Sequence, residues 1–232
     1  MLISDIDNTL IGDSEGLKKL MDMLERASDY TGFGVATGRS LELTMDVLKE
    51  WHIPIPDLLI TSVGTEIYYG PEIKKDEQWE RYIDFRWKPE TIREALRYIP
   101  GLILQPPEGQ RKYKISYIVD IDRAPDIEEI KAHLRKLNLS VNVVFSHQEF
   151  LDILPIRASK GKAIRYISGR WNIPINRILV AGDSGNDEEM LLLDGVLGVV
   201  VGNHSPEIER LRGKNNIYFA KAWYAKGIIE AI

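Results

Sequence analysis

Short apolar runs that stop in polar, glycine-bearing loops alternate with stretches whose apolar residues recur at helical spacing. The alternation breaks near residue 78 and resumes at Lys160. This pattern predicts an α/β protein: a Rossmann-like parallel sheet core with helices on both faces, carrying an inserted α+β domain. The expected division is 1–77 and 157–232 for the core and 78–156 for the insert. A chain of 232 residues is longer than an average domain and shorter than two, which suits a core with an insert.

The elements follow in order. Leu2-Ile3 is a short buried strand that feeds the polar loop Asp5-Ile6-Asp7-Asn8-Thr9. Leu17, Leu20, Met21 and Leu24 fall on one helical face, which predicts a helix over 14–27 with Ser14 as its N-cap. Phe33-Gly34-Val35-Ala36 is a second strand, ending in Thr37-Gly38-Arg39-Ser40. Leu41, Met45, Val47 and Leu48 give the next helix, and Leu58-Leu59-Ile60-Thr61 a third strand. In the insert, Trp79, Tyr82, Phe85 and Trp87 crowd together as packing residues. Helices are expected over 89–98 and 126–137, strands over 112–119, 140–145 and 150–153, and a turn at Pro106-Pro107-Glu108-Gly109. A helix over 159–171 then leads to strand 178–181 and the loop Gly182-Asp183-Ser184-Gly185-Asn186-Asp187. A helix through 190–193, a strand over 196–201, a helical stretch over 206–212, a strand over 217–219 and a helix over 224–232 complete the chain.

Composition narrows the function. Thirty Lys+Arg against 35 Asp+Glu give a net charge of -5, and no basic block marks a nucleic-acid surface. The absence of Cys excludes disulfides and Cys-based zinc sites. The longest apolar stretch, around Gly195–Gly202, is too short to span a bilayer. The N-terminus shows no basic and apolar leader pattern, so a cytoplasmic location is expected. His52, His133, His147 and His204 have no metal-ligand spacing and are read as surface or loop residues. Asp120 and Asp122 are read as a solvated strand end.

Four polar clusters sit where predicted strands or loops end, at the rim where open α/β sheets bind ligands. Asp5 and Asp7 supply two carboxylates two residues apart. One can attack phosphorus and the other can hand a proton to the leaving oxygen, which makes Asp5 the nucleophile and Asp7 the general acid and then base. Alone, the D-x-D also fits a solvated turn or a metal site of a sugar-transferring enzyme. Thr37-Gly38 offers a hydroxyl and a backbone N–H to a phosphate oxygen, or simply a capped helix start. Arg39 is a surface charge or an ion-pair partner. Lys160 opens a helix, where a cation opposes the helix dipole, and this points to a role in neutralising phosphate and Asp5. The loop 182–187 places two carboxylates and an amide in a glycine turn, hard oxygen ligands that suit Mg²⁺.

Taken in order, Asp5-Ile6-Asp7-Asn8-Thr9, Thr37 in Ala36-Thr37-Gly38-Arg39, Lys160, and Gly182-Asp183-Ser184-Gly185-Asn186-Asp187 resemble the four motifs of haloacid dehalogenase-superfamily phosphatases. The insert resembles the C2-type cap of that superfamily. Ile3–Thr9, Val63–Tyr68, Lys114-Ile115-Ser116-Tyr117 and Leu154–Gly161 are most similar to sucrose-6-phosphate phosphatases. The resemblance implies a Mg²⁺-dependent phosphatase acting on sucrose-6-phosphate through an aspartyl-phosphate. It implies Mg²⁺ at the Asp5 carboxylate, the Asp7 carbonyl and Asp183, with Asp187 as an acidic partner in or next to the ligand set. Thr37 and Lys160 would join the catalytic set, and Gly38, Arg39 and Asn186 would hold phosphate or orient Lys160. Sugar contacts would come from Thr65, Glu66 and Lys114. A monomer is expected, and a sucrose-phosphate synthase is a partner the resemblance brings with it. Another sugar-phosphate phosphatase with the same cap is the alternative within the superfamily, acting on a mannosyl or glucosyl glycerate phosphate or on hexose phosphates broadly. A signalling receiver domain is about half this length and has no cap, and a silent binding module would have lost a catalytic carboxylate.

Overall fold

The structure is a computed structural model describing residues 1–232. The chain opens with β1 (Leu2–Ser4), β2 (Phe33–Ala36), β3 (Leu58–Thr61), β4 (Glu66–Tyr69) and β5 (Lys74–Lys75). It then leaves for β6 (Leu102–Leu104), β7 (Ile115–Val119), β8 (Val141–Ser146) and β9 (Phe150–Pro155). It returns for β10 (Leu179–Gly182), β11 (Leu197–Val200) and β12 (Ile217–Phe219). The first and last groups form one eight-stranded sheet in the order β12-β11-β10-β1-β2-β3-β4-β5. Pairing is parallel from β12 to β3, and β4 and β5 extend the edge antiparallel. The middle group forms a separate four-stranded antiparallel sheet, β6-β7-β9-β8, lying wholly within 78–156.

Helices cover both faces of the large sheet because its strands are apolar on both sides. Every residue of β1, β2 and β3 is buried. Leu2, Val35 and Leu59 point to a cluster with Leu17 and Leu20 of α1 (Ser14–Arg26), Val47 and Leu48 of α2 (Leu41–Glu50), and Ile228 near the C-terminus. Ile3, Ile60 and Val180 point the other way, to Ile164 and Ile167. Each such Leu or Ile contributes about 1.5–3 kcal/mol on burial. In the small sheet, Ile115, Tyr117, Leu151 and Ile153 pack on two helices through Ile92, Leu96, Ile130 and Leu134. The other face, carrying Ser116 and Asp152, is turned toward the large sheet, as strand alternation requires.

The remaining helices are α3 (Glu77–Ile83), α4 (Pro89–Leu96), α5 (Ile127–Lys136), α6 (Lys160–Arg170), α7 (Glu188–Leu191) and α8 (Tyr224–Ala231). Several features differ from the sequence expectation. The N-cap of α1 is Asp13, whose carboxylate accepts the Gly16 N–H at 3.1 Å, and Ser14 is already helical. The β4–β5 hairpin, α3 and β6 were not expected. Trp79 and Ile83 of α3, although within 78–156, pack in the large sheet's cluster. The stretch over 206–212 forms a 3-10 helix, Pro206–Leu211. Trp79 is buried, donates its indole N–H to Gly64 O at 3.1 Å and lies against Tyr82 and Tyr166, so it is packing, as read. No helix is long and apolar enough to cross a membrane.

Candidate active site

Three parallel strands end at one level. Ser4 of β1 pairs with Ala181 of β10 and Val35 of β2, so the loops carrying Asp5-Ile6-Asp7, Thr37-Gly38-Arg39 and Asp183–Asp187 leave the sheet side by side. α6 then presents Lys160 to all of them. Its amino group is fully buried and donates three hydrogen bonds, to Asp5 Oδ1 (2.7 Å), Asp187 Oδ1 (2.7 Å) and Asn186 Oδ1 (2.5 Å). Those three acceptors use every proton the ammonium has.

Asp187 also organises the loop behind it. Its second oxygen accepts the Asp183 and Ser184 N–H groups at 3.0 and 3.1 Å. Thr9, at the end of the first motif, donates to Asp183 Oδ1 at 3.0 Å. Asp5, Asp183 and Asp187 are buried, with ligand oxygens within 4.8 Å of one another. Burial, with the charges of Asp187 and Asp7, pushes the Asp5 carboxyl up to about 7 against the pull of Lys160. Burial and the Asp187 and Asp5 charges push Asp183 up to about 9. Burial opposes the charge on Lys160, but Asp187 and Asp5 outweigh it and hold the ammonium above its ordinary value. Three carboxyl groups crowded against one ammonium in a desolvated space hold onto protons for want of positive charge, a donor set that suits a hard divalent cation such as Mg²⁺.

Asp7 stands apart from this cluster. Arg39 grips it with two parallel bonds, Nε to Oδ2 and Nη2 to Oδ1, both 2.8 Å. Both side chains are part-exposed, so the pair orients Asp7 more than it stabilises the fold. Thr37 is fully buried and its hydroxyl accepts the Arg39 N–H at 3.1 Å.

Above these groups lies a cleft of about 610 Å³ between the two sheets. Asp5, Asp7, Asn8, Gly38, Arg39 and Asn186 line it from the large sheet. Gln105, Lys114, Ser146, His147, Glu149, Phe150 and Asp152 line it from the small one. Lys114, mostly buried, donates to Ser116 Oγ at 2.6 Å and lies 3.3 Å from Asp152 Oδ1, while Ser116 Oγ donates to the same oxygen.

Of the site residues expected from the sequence, Thr37 is buried beneath Arg39 and does not line the cleft, and Thr65 and Glu66 are brought neither to the cleft nor to the Lys160 cluster. Thr65 donates to Ser62 O, and Glu66 accepts from the Thr61 and Ser62 hydroxyls at 3.1 Å each. Their loop acts from behind. Ser62, Val63 and Gly64 all have positive φ (52°, 58° and 89°), and the Val63 and Ser62 amides bond Thr37 O and Arg39 O. A Cβ on Gly64 would lie 2.2 Å from the Ser159 backbone, so only glycine lets this turn abut the start of α6. The sequence reading missed Gln105, Asp152, His147 and Thr9. Asp152 carried a signal, as a lone carboxylate in the apolar run Phe150–Pro155 opposite Ser116.

A profile of the sucrose-6F-phosphate phosphohydrolase family matches residues 1–232. The chain is 34% identical to sucrose-phosphatase 1 of Nicotiana tabacum across its whole length, and spans 58% of that longer protein. It is 29% identical to the mannosylfructose-phosphate phosphatase of Agrobacterium fabrum, covering all of this chain and 95% of that one. The solved sucrose-phosphatase of Synechocystis, in complex with sucrose and phosphate, superposes with a TM-score of 0.95 at 32% identity, covering all of this chain and 95% of that chain. Matched from its first residue to its last, the chain belongs to the sucrose-6F-phosphate phosphohydrolase family.

Proposed function

We propose that the protein hydrolyses sucrose-6-phosphate to sucrose and phosphate through a phosphoaspartyl intermediate on Asp5. The observation that carries this reading is the placement of a buried carboxylate, held by Lys160, at the floor of a polar cleft roofed by the small sheet. The cleft volume suits a disaccharide phosphate by the usual range for small-molecule sites. In the first half, Asp5 attacks phosphorus, the bond from phosphorus to the sugar oxygen breaks, and Asp7 gives that oxygen its proton. In the second half, Asp7 takes a proton from water as its oxygen attacks phosphorus, and the bond to Asp5 breaks. Arg39 grips Asp7 through both carboxyl oxygens, so Asp7 parts from Arg39 to give its proton to the leaving oxygen in the first half. Thr37, Gly38 and Asn186 would hold the phosphate oxygens, and Lys160 offsets their charge.

Asp5, the Asp7 carbonyl and Asp183 would hold Mg²⁺, with Asp187 tying Lys160 and the loop amides in place behind them. When bound, the ion neutralises charge on the transferring phosphoryl group. Lys114, Gln105, His147 and Asp152 would meet the sugar hydroxyls. The full-length match to the mannosylfructose-phosphate phosphatase supports a second reading, another disaccharide phosphate on the same machinery. Phosphate release from sucrose-6-phosphate, mannosylfructose phosphate and hexose monophosphates separates the two readings by the highest kcat/KM.

A further inference from the structure

We propose that Glu207 is a positioning residue that ties docking of the small-sheet cap to the setting of the catalytic loop Gly185–Asp187. Its Oε1 accepts two backbone N–H groups at once. One is from His147 at the tip of the β8–β9 hairpin (2.8 Å), and the other from Gly185 of the loop (3.2 Å). The two elements meet with no space to spare: a Cβ on Gly185 would lie 2.1 Å from Phe145 O at the end of β8. His147 adds a contact from Nδ1 to Ser205 Oγ at 3.1 Å, beside Glu207. The hairpin tip is strained, with His147 and Gln148 at φ 54° and 55°. It also walls the substrate cleft, through Ser146, His147 and Glu149. On the loop side, Asn186 and Asp187 are the residues that grip Lys160.

Glu207 is unusual in its other oxygen. Oε2 is buried and has no hydrogen-bond partner. A desolvated carboxylate oxygen without a donor opposes the closed arrangement, and Oε1's two charge-assisted bonds offset that cost only while both N–H groups are present. Separation of cap from core would give the carboxylate back to water. The contact is therefore a reversible latch, suited to a cleft that must open to admit a sugar phosphate and close before proton transfer. Its consequence for catalysis rests on the function proposed above; the latch itself does not.

The test uses the full chain with Glu207→Ala, Glu207→Asp and Glu207→Gln. Hydrogen exchange is followed by mass spectrometry, alongside kinetics on sucrose-6-phosphate and an aryl phosphate too small to reach the cap. Glu207→Ala should speed exchange in peptides covering 145–150 and 184–187 about tenfold, leaving α1 and β7 unchanged. It should raise KM for the sugar phosphate more than for the aryl phosphate. Asp, one methylene shorter, cannot span both N–H groups and should resemble Ala, so the test survives if Ala does not fold. Gln keeps an acceptor for both and should restore most of the protection. Unchanged exchange at 145–150 and 184–187, a rise spread over the whole chain, or Gln no better than Ala would overturn the latch. Localised exchange in a protein that does not prefer the sugar phosphate would uphold the latch and remove the substrate assignment.

Discussion

As the proposed nucleophile, Asp5 must be both buried and charged, and Lys160 at 2.7 Å draws its pKa back against the burial that raises it. Asp5→Asn keeps the shape and removes the attacking charge, so turnover should fall to background while circular dichroism stays unchanged. Asp7→Asn should lower kcat for the sugar phosphate by about 10²–10⁴. The loss should shrink on an aryl phosphate, whose leaving group needs little protonation, and the phosphoenzyme should then accumulate. The cleft geometry separates two substitutions that sequence alone would treat alike. Lys114→Ala should raise KM for sucrose-6-phosphate about tenfold or more with little effect on an aryl phosphate. Glu66→Ala should slow both substrates together, because Glu66 braces the strained turn behind Thr37 and Lys160 and does not face the cleft. The placement of Asp5, Asp7, Thr37, Lys160 and Asp183 was legible because each sits in the first few residues after a strand or at a helix start, where the fold leaves little freedom. Thr65 and Glu66 occupy an equally marked loop, but which way that loop faces is set by Gly64 packing on Ser159, a contact between segments about 95 residues apart.

Among the elements, the parallel strands were readable because a strand buried on both faces is a continuous apolar run. The β4–β5 hairpin was not, since Lys74-Lys75 is a two-residue edge strand that carries no apolar signal at all. The N-cap of α1 fell one residue early, to Asp13, because Asp and Ser side by side are both good caps and only the Gly16 contact decides. Asp76 shows what a cap can do when it is also a junction. Its carboxylate caps α3 through the Gln78 and Trp79 N–H groups and accepts the Tyr69 and Tyr166 hydroxyls, tying the entry to the cap to β4 and α6. Burial raises its pKa, but the Tyr69, Trp79 and Tyr166 hydrogen bonds and the Arg170 charge outweigh it, and the carboxyl sits below its ordinary value. A group depressed in the folded state stabilises above its unfolded pKa and loses that contribution as pH falls through the folded one. Asp76→Asn should therefore flatten the fall in unfolding free energy below about pH 4. Asp76→Ala should cost at least about 1–2 kcal/mol at neutral pH, read by urea unfolding.

Over the whole molecule, the proposed function divides chemistry and choice of substrate between the two sheets. The large sheet holds every charged group that would touch phosphorus, and the small sheet supplies the polar face above it. That division was visible as a break in the sequence rhythm. The cleft-lining residues of the cap were mostly invisible, because Gln105, His147 and Asp152 meet only when β6, β7, β8 and β9 pair and the cap docks. Three buried carboxylates facing one ammonium predict that a chelator abolishes activity and Mg²⁺ restores it. Thermal stability should also rise with Mg²⁺ in wild type and not in Asp183→Asn, a reading independent of turnover. The most direct test of the central claim is phosphate release in Mg²⁺ from sucrose-6-phosphate, fructose-6-phosphate and glucose-6-phosphate, measured side by side for wild type and Asp5→Asn. A cleft built to hydrogen-bond a disaccharide should reject the single hexoses by about 10²-fold or more in kcat/KM, with no turnover of any of them in the variant. Equal efficiency on the three phosphates, or turnover surviving in Asp5→Asn, would contradict the account.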